Sequence, residues 1–126
     1  MKTCLVVDDA PVIRKISFRL LNREGLDVDT LETTAEASEW IESHGAPNLL
    51  FVGASAQDKT VASEIKRLRE LAGAEMHVVA MIVESNLGLM TRLKRAGVEN
   101  YLFKPFDRAS LESLLQPYLE REEAIA

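Results

Sequence analysis

The chain of 126 residues suits one compact domain, since two would each be too small for a proper core. Hydrophobic residues at 47% and charged residues at 28% are the balance of a globular protein, which excludes disordered, collagen-like and disulfide-rich classes. A net charge of −5 argues against nonspecific binding to nucleic acid, which needs basic surface, so no DNA partner is expected. The single cysteine, Cys4, cannot form an internal disulfide, and no apolar run approaches the roughly 20 residues that span a bilayer. The amino terminus meets Asp8 and Asp9 after four apolar residues, too soon for a signal peptide. A cytoplasmic protein with no membrane partner is the expectation.

The chain alternates short apolar runs with helical patterns. Cys4-Leu5-Val6-Val7 reads as a strand buried on both faces. Residues 11–24 carry Val12, Ile13, Ile16, Leu20 and Leu21 at helical spacing, with Pro11 suited to the first turn and Gly25 to the exit. Residues 26–31 alternate apolar and polar side chains, as an exposed edge strand does. A helix is predicted over 35–44 with Ala37, Trp40 and Ile41 inward. Leu49-Leu50-Phe51-Val52 is a central strand, and residues 53–60 form a loop.

A third helix is predicted over 61–72 through Val61, Ile65, Leu68 and Leu71, and a fourth strand over 78–83. A helix over 87–96 closes at Gly97, and Tyr101-Leu102-Phe103 is a short fifth strand stopped by Pro105. The last helix, near residues 109–120, has Leu111, Leu114, Leu115, Tyr118 and Leu119 at helical spacing. Pro117 inside it predicts a kink or an early stop, because proline loses a donor and clashes with the preceding turn. Residues 1–120 then form the domain, and 121–126 a frayed tail. Five β-α units with short connections imply an α/β fold, a doubly wound five-stranded parallel sheet with helices on both faces. Functional loops of such sheets gather at the carboxyl ends of the strands. Those ends carry Asp8-Asp9, Gly53, Ile82-Val83 and Lys104-Pro105-Phe106.

With these residues placed, the chain resembles the receiver domain of bacterial two-component response regulators, in size and layout similar to the chemotaxis regulator. The strongest matches are Leu5-Val6-Val7-Asp8-Asp9 and the run from Ala96 to Phe106, within a resemblance covering residues 2 to about 119. It implies a flavodoxin-like fold and a phosphorelay role. In the family, a carboxylate ending the third strand accepts a phosphoryl group from a histidine kinase. An acid pair and that acceptor hold magnesium, which neutralises oxygens during transfer. A hydroxyl ending the fourth strand and a lysine after the fifth bind the phosphoryl oxygens, and an aromatic on the fifth strand switches inward.

Carried over by position, Asp8 and Asp9 match the acid pair, Lys104 the lysine and Tyr101 the switch aromatic. Gly53 falls where the acceptor belongs and Ile82 where the hydroxyl belongs, while Ala56-Gln57 replaces the family's methionine-proline. Gly53 offers neither a nucleophile nor a metal oxygen. Ile82 removes a donor and is expected to put apolar bulk where oxygens would sit. Asp8 and Asp9 alone would hold magnesium only weakly, and no cofactor is required. The resemblance therefore implies a pseudo-receiver that is not an enzyme and signals by phosphorylation-independent protein contact.

Alternatives stand beside each residue. Asp8 and Asp9 can both simply pair with Lys104, and Tyr101 can be a fixed aromatic covering the last helix. Asp58 is a surrogate acceptor five residues beyond Gly53, as are Asp8 or Asp9 themselves, or a solvated loop acid; Ser55 is a weaker candidate. Cys4 reads as core, His44 and His77 as incidental for want of metal-ligand spacing. The basic clusters Lys66-Arg67-Arg69 and Arg92-Lys94-Arg95 are solvated faces, or dock an acidic partner or a phosphorylated nucleotide. Some receivers with a similar amino terminus bind a cyclic dinucleotide through arginines. Conventional enzyme motifs are missing: there is no glycine-rich phosphate loop and no His-Glu-x-x-His helix. The family's contact surfaces place Lys94, Arg95 and Arg108 on the face of the fourth helix, fifth strand and fifth helix, used for output or homodimer contacts. Arg14 and Lys15 fall on the first helix, the docking surface for histidine kinases or phosphotransfer proteins.

Overall fold

A computed structural model describes the backbone of residues 2–125 and the side chains of residues 2–119; the tail expected over 121–126 lies outside the latter range. The elements alternate as β1 (Thr3–Val7), α1 (Pro11–Arg23), β2 (Asp27–Leu31), α2 (Thr34–His44), β3 (Leu49–Gly53), α3 (Val61–Ala72), β4 (His77–Ile82), α4 (Leu87–Arg95), β5 (Asn100–Phe103) and α5 (Arg108–Ile125). All neighbouring strands pair in parallel in the order β2-β1-β3-β4-β5. The polar alternation of β2 is that of an edge strand, while β1, β3 and β4 are apolar on both faces because helices cover both.

The period of two along each strand divides the core into two layers. One packs Leu5, Leu50, Val52, Val78, Ala80 and Ile82 against α2, α3 and α4. The other packs Cys4, Val6, Phe51, Val79, Met81 and Leu102 against α1 and α5 through Ile13, Leu21, Leu111 and Leu115. Cys4 is a core residue, and burial pushes its thiol well above the usual range.

Local chemistry sets the helix ends. Thr33 and Glu36 form a reciprocal capping box at α2, and the side chain of Asn86 accepts the Leu89 N–H at α4. Asp107 accepts the Ser110 N–H at 2.8 Å to start α5, and that bond holds its carboxyl below the usual value. The cap's contribution is present above the ordinary aspartate range and is lost as pH falls through the lowered native value. Gly97 has a φ of 108°, a left-handed turn that suits only glycine, and the stem of Arg69 lies across it.

Several inward assignments change. Val12 is 61% and Leu71 45% exposed, since each lies on the flank of its helix's buried stripe. Val83 lies beyond the end of β4. Trp40 is half-buried, its indole N–H donating to Asp29 Oδ2 at 2.8 Å and its ring stacked on His44. His77 has partners: Nδ1 lies 2.9 Å from Glu99 Oε2, and the ring packs on Tyr118. Pro117 sits inside α5 without ending it. Proline removes only one helical donor there, while Leu115 and Tyr118 on either side stay buried against the sheet.

Truncating Leu50→Ala is expected to cost about 2–5 kcal/mol in urea unfolding, as the side chain is fully buried. Val12→Ala should change stability by less than about 0.5 kcal/mol.

Candidate functional site

The strand order reverses between β1 and β3, so their following loops part and leave a crevice of about 330 Å³ at the carboxyl end of the sheet. Asp8, Asp9, Gly53, Ser55, Asp58 and Lys104 line it, together with Glu32, Thr33 and Thr34 before α2 and Glu64 from α3. The two ends of the sequence therefore meet here as the spacing of their motifs implies.

Asp8 is the node of the crevice. It is 3% exposed, and each of its oxygens has a partner. Oδ2 accepts from Lys104 Nζ at 2.8 Å, Oδ1 accepts from the Ala10 N–H at 2.9 Å, and the backbone carbonyl accepts from Arg14 Nη1 at 2.8 Å. Its own N–H donates to the Leu31 carbonyl at 3.1 Å. A carboxylate withdrawn from water this far needs a countercharge, and Lys104, its side chain 15% exposed, is that charge. The backbone N–H of Lys104 donates to the Ile82 carbonyl at 2.8 Å, which fixes where the lysine leaves β5.

Gly53 explains how the pair fits. A Cβ built there would lie 2.9 Å from Asp8 Cγ and 3.2 Å from Lys104 Nζ, both inside van der Waals contact. The Asp8 carboxylate thus leans into the volume a side chain at the tip of β3 would take. Glycine is needed at this position for close approach, since its φ is not in the left-handed region.

Magnesium does not fit this arrangement. Asp8 has both oxygens engaged, Gly53 supplies none, and among the described residues no three acidic, histidine or cysteine side chains converge as a metal site. Asp9 is exposed, so the expectation that both acids pair with Lys104 holds for Asp8 alone.

Other expectations are corrected by position. Ile82 is fully buried among the residues facing α3 and α4, on the same side of β4 as Val78 and Ala80, and does not line the crevice. Its apolar bulk goes into the core, and the apolar residue at the rim is Val83. Tyr101 is half-buried and donates its hydroxyl to the Met90 carbonyl at 2.8 Å, so it braces α4 and not the last helix. Burial raises its phenol above the usual value. Asp58 lines the outer crevice, but its Oδ1 accepts from the Thr60 N–H at 2.9 Å and hydroxyl at 3.0 Å.

Arg14 is not a free docking residue: it is half-buried, clamped on the Asp8 carbonyl and 3.9 Å from Glu32. Helix α1 starts just after Asp8, which brings its first turn over the end of β1. Lys15, Lys94 and Arg95 are exposed, and Arg108 is exposed but paired with Glu112 at 2.7 Å. The clamp by Arg14 and the crevice role of Glu32 had no sequence signal beyond their place near strand ends.

A family profile described as the response regulator receiver domain matches residues 4–116. The chain is 31% identical over 113 residues to two-component response regulator 24 of Arabidopsis thaliana, covering 90% of this chain and 81% of that protein. It is 27% identical over 117 residues to chemotaxis protein CheY1 of Helicobacter pylori, covering 91% and 94%. Two other matched proteins are far longer, the chain spanning 5% of one and 23% of the other. In fold, it is similar to a CheY-like response regulator receiver domain protein from Methanospirillum hungatei, with a TM-score of 0.84 at 22% identity over 100% of this chain and 99% of that one.

Replacing Lys104→Met should cost about 3–5 kcal/mol in chemical denaturation, because it leaves a buried carboxylate uncompensated. The double change Asp8→Asn with Lys104→Met should cost clearly less than Lys104→Met alone. Gly53→Ala should destabilise by about 1–3 kcal/mol by displacing the Asp8 carboxylate.

Proposed function

Because the chain belongs to the response regulator receiver family, we propose that it is a pseudo-receiver, signalling in a two-component system through protein contact independent of phosphorylation. One observation carries this reading: the place of the acceptor side chain is taken by the Asp8 carboxylate, itself neutralised by Lys104. One of the acids that the family uses to hold metal, Asp8, and the lysine it uses to hold phosphoryl oxygens, Lys104, are spent on each other. Gly53 supplies no atom to phosphorylate, and Val83, the residue after β4 that lines the crevice, no hydroxyl to bind the product. With no new charge to bias a second state, the protein should stay in one conformation until a partner binds.

Contact surfaces remain on two faces. Helix α4 has no acid among its nine residues; Arg92, Lys94 and Arg95 are exposed on it, and Leu87 is 84% exposed at its start. Phe103 at the end of β5 adds a half-exposed ring. On α1, Lys15 lies between Val12 and Phe18, both exposed. The α1 face suits a histidine kinase or phosphotransfer protein, and the α4–β5–α5 face an output protein. Occupying such a partner would block or scaffold a phosphorelay.

Incubation with acetyl phosphate and magnesium, followed by intact-mass spectrometry, should show no phosphoryl adduct. An adduct that disappears in Asp58→Asn would overturn the proposal in favour of a surrogate acceptor. Gly53→Asp should acquire an adduct only slowly, because the new carboxylate must compete with Asp8 for Lys104. Adding Val83→Thr, at the exposed rim of the crevice, should speed it by supplying the missing hydroxyl. Ile82→Thr, at a side chain that points into the core, should lower stability without speeding it.

A further inference from the structure

The two basic clusters of the sequence are separate along the chain, and the fold brings parts of both to one groove. Lys66 and Arg69 from α3 and Arg95 from α4 line a cavity of about 450 Å³ at the end of the sheet opposite the crevice. Its remaining lining is Glu70 with Gly73, Ala74, Ala96 and Gly97, small residues that leave room beside the cations. The volume is within the range of small-molecule pockets.

Arg69 is held in advance. Its Nη1 donates to the Met76 carbonyl at 2.9 Å, and its stem crosses Gly97 so closely that a Cβ there would lie 2.9 Å from Nε. A guanidinium positioned this way keeps further donors in a planar fork that matches phosphate oxygens. Lys66 and Arg95 are exposed, which leaves their heads able to reach the same groove.

Cations at the ends of α3 and α4 also answer the helix dipoles, so that share must be subtracted. Two helix C-termini contribute about −0.5 each, and Glu70 contributes a full negative charge. Three cations then leave the groove about one positive charge in excess. The crevice at the other end has the opposite balance, with Asp9, Glu32, Asp58 and Glu64 on its walls and its lysine already paired. An anionic ligand therefore has one favourable place among the described cavities.

We propose that the groove between the C-terminal ends of α3 and α4 binds a small molecule carrying a phosphate or diphosphate group, with Arg69 as the pre-set fork and Lys66 and Arg95 as mobile countercharges. The site is independent of whether the chain accepts phosphate at the crevice.

The test is a heteronuclear NMR titration at low salt with pyrophosphate and, separately, with adenosine diphosphate. Saturable shifts at the amides of Gly73, Ala74 and Gly97 are expected, weakening as salt rises. Arg95→Glu, an exposed change that leaves the fold alone, should weaken binding about tenfold or more. Equal affinity for the two probes would assign recognition to the phosphates alone, and tighter binding of the nucleoside would add a base contact; both support the site. Absence of saturable shifts at these amides, or shifts that Arg95→Glu leaves unchanged, would overturn it.

Discussion

The ion pair between Asp8 and Lys104 ties the end of β1 to the end of β5 across the tip of β3, and the upper end of the molecule is arranged around it. Removing a carboxylate from water is costly, and the cost is offset only where its oxygens find donors and a countercharge. Here Lys104 and the Ala10 N–H take the two carboxylate oxygens, and Arg14 takes the carbonyl behind them. The arrangement closes only because Gly53 has no side chain. A residue that reads in sequence as a loss is, in the fold, the condition for a compact buried pair.

Charge along the chain is sorted to match. From Glu24 to Asp58 there are eight acids and no lysine or arginine, and this stretch supplies β2, α2 and, in Glu32 and Asp58, two of the four acids on the crevice walls besides Asp8. The lysines and arginines of α3 and α4 lie later, and three of them face the groove at the opposite end of the sheet. The two ends thus present opposite local fields although the chain as a whole is acidic. That separation is why the site position inherited from the family and the position most favourable to an anion differ.

The fold was largely legible because its strands are unbroken apolar runs and its helices are punctuated by glycine, proline and capping residues. Strand edges moved by a residue or two, as at Val83 and Asp27, where side-chain pattern gives way to backbone pairing. Helix α5 runs five residues past its expected end, to Ile125. Pro117 does not stop α5, because a local backbone penalty is outweighed by packing on both sides of it. Of the site, the convergence of Asp8, Gly53 and Lys104 could be read from spacing and resemblance. What could not be read was which partner each side chain chooses. Ile82 turning into the core, Tyr101 reaching α4, and Arg14 folding back on Asp8 all depend on three-dimensional neighbours that no periodicity specifies.

The most direct measurement is a crystal structure of the protein grown with magnesium and beryllofluoride, a mimic of a phosphorylated carboxylate. The account predicts that Lys104 Nζ remains hydrogen-bonded to Asp8 Oδ2 over Gly53, with neither ion in the crevice. A structure in which Asp8 has swung out to coordinate magnesium, with beryllofluoride attached to any aspartate of the chain, would contradict it.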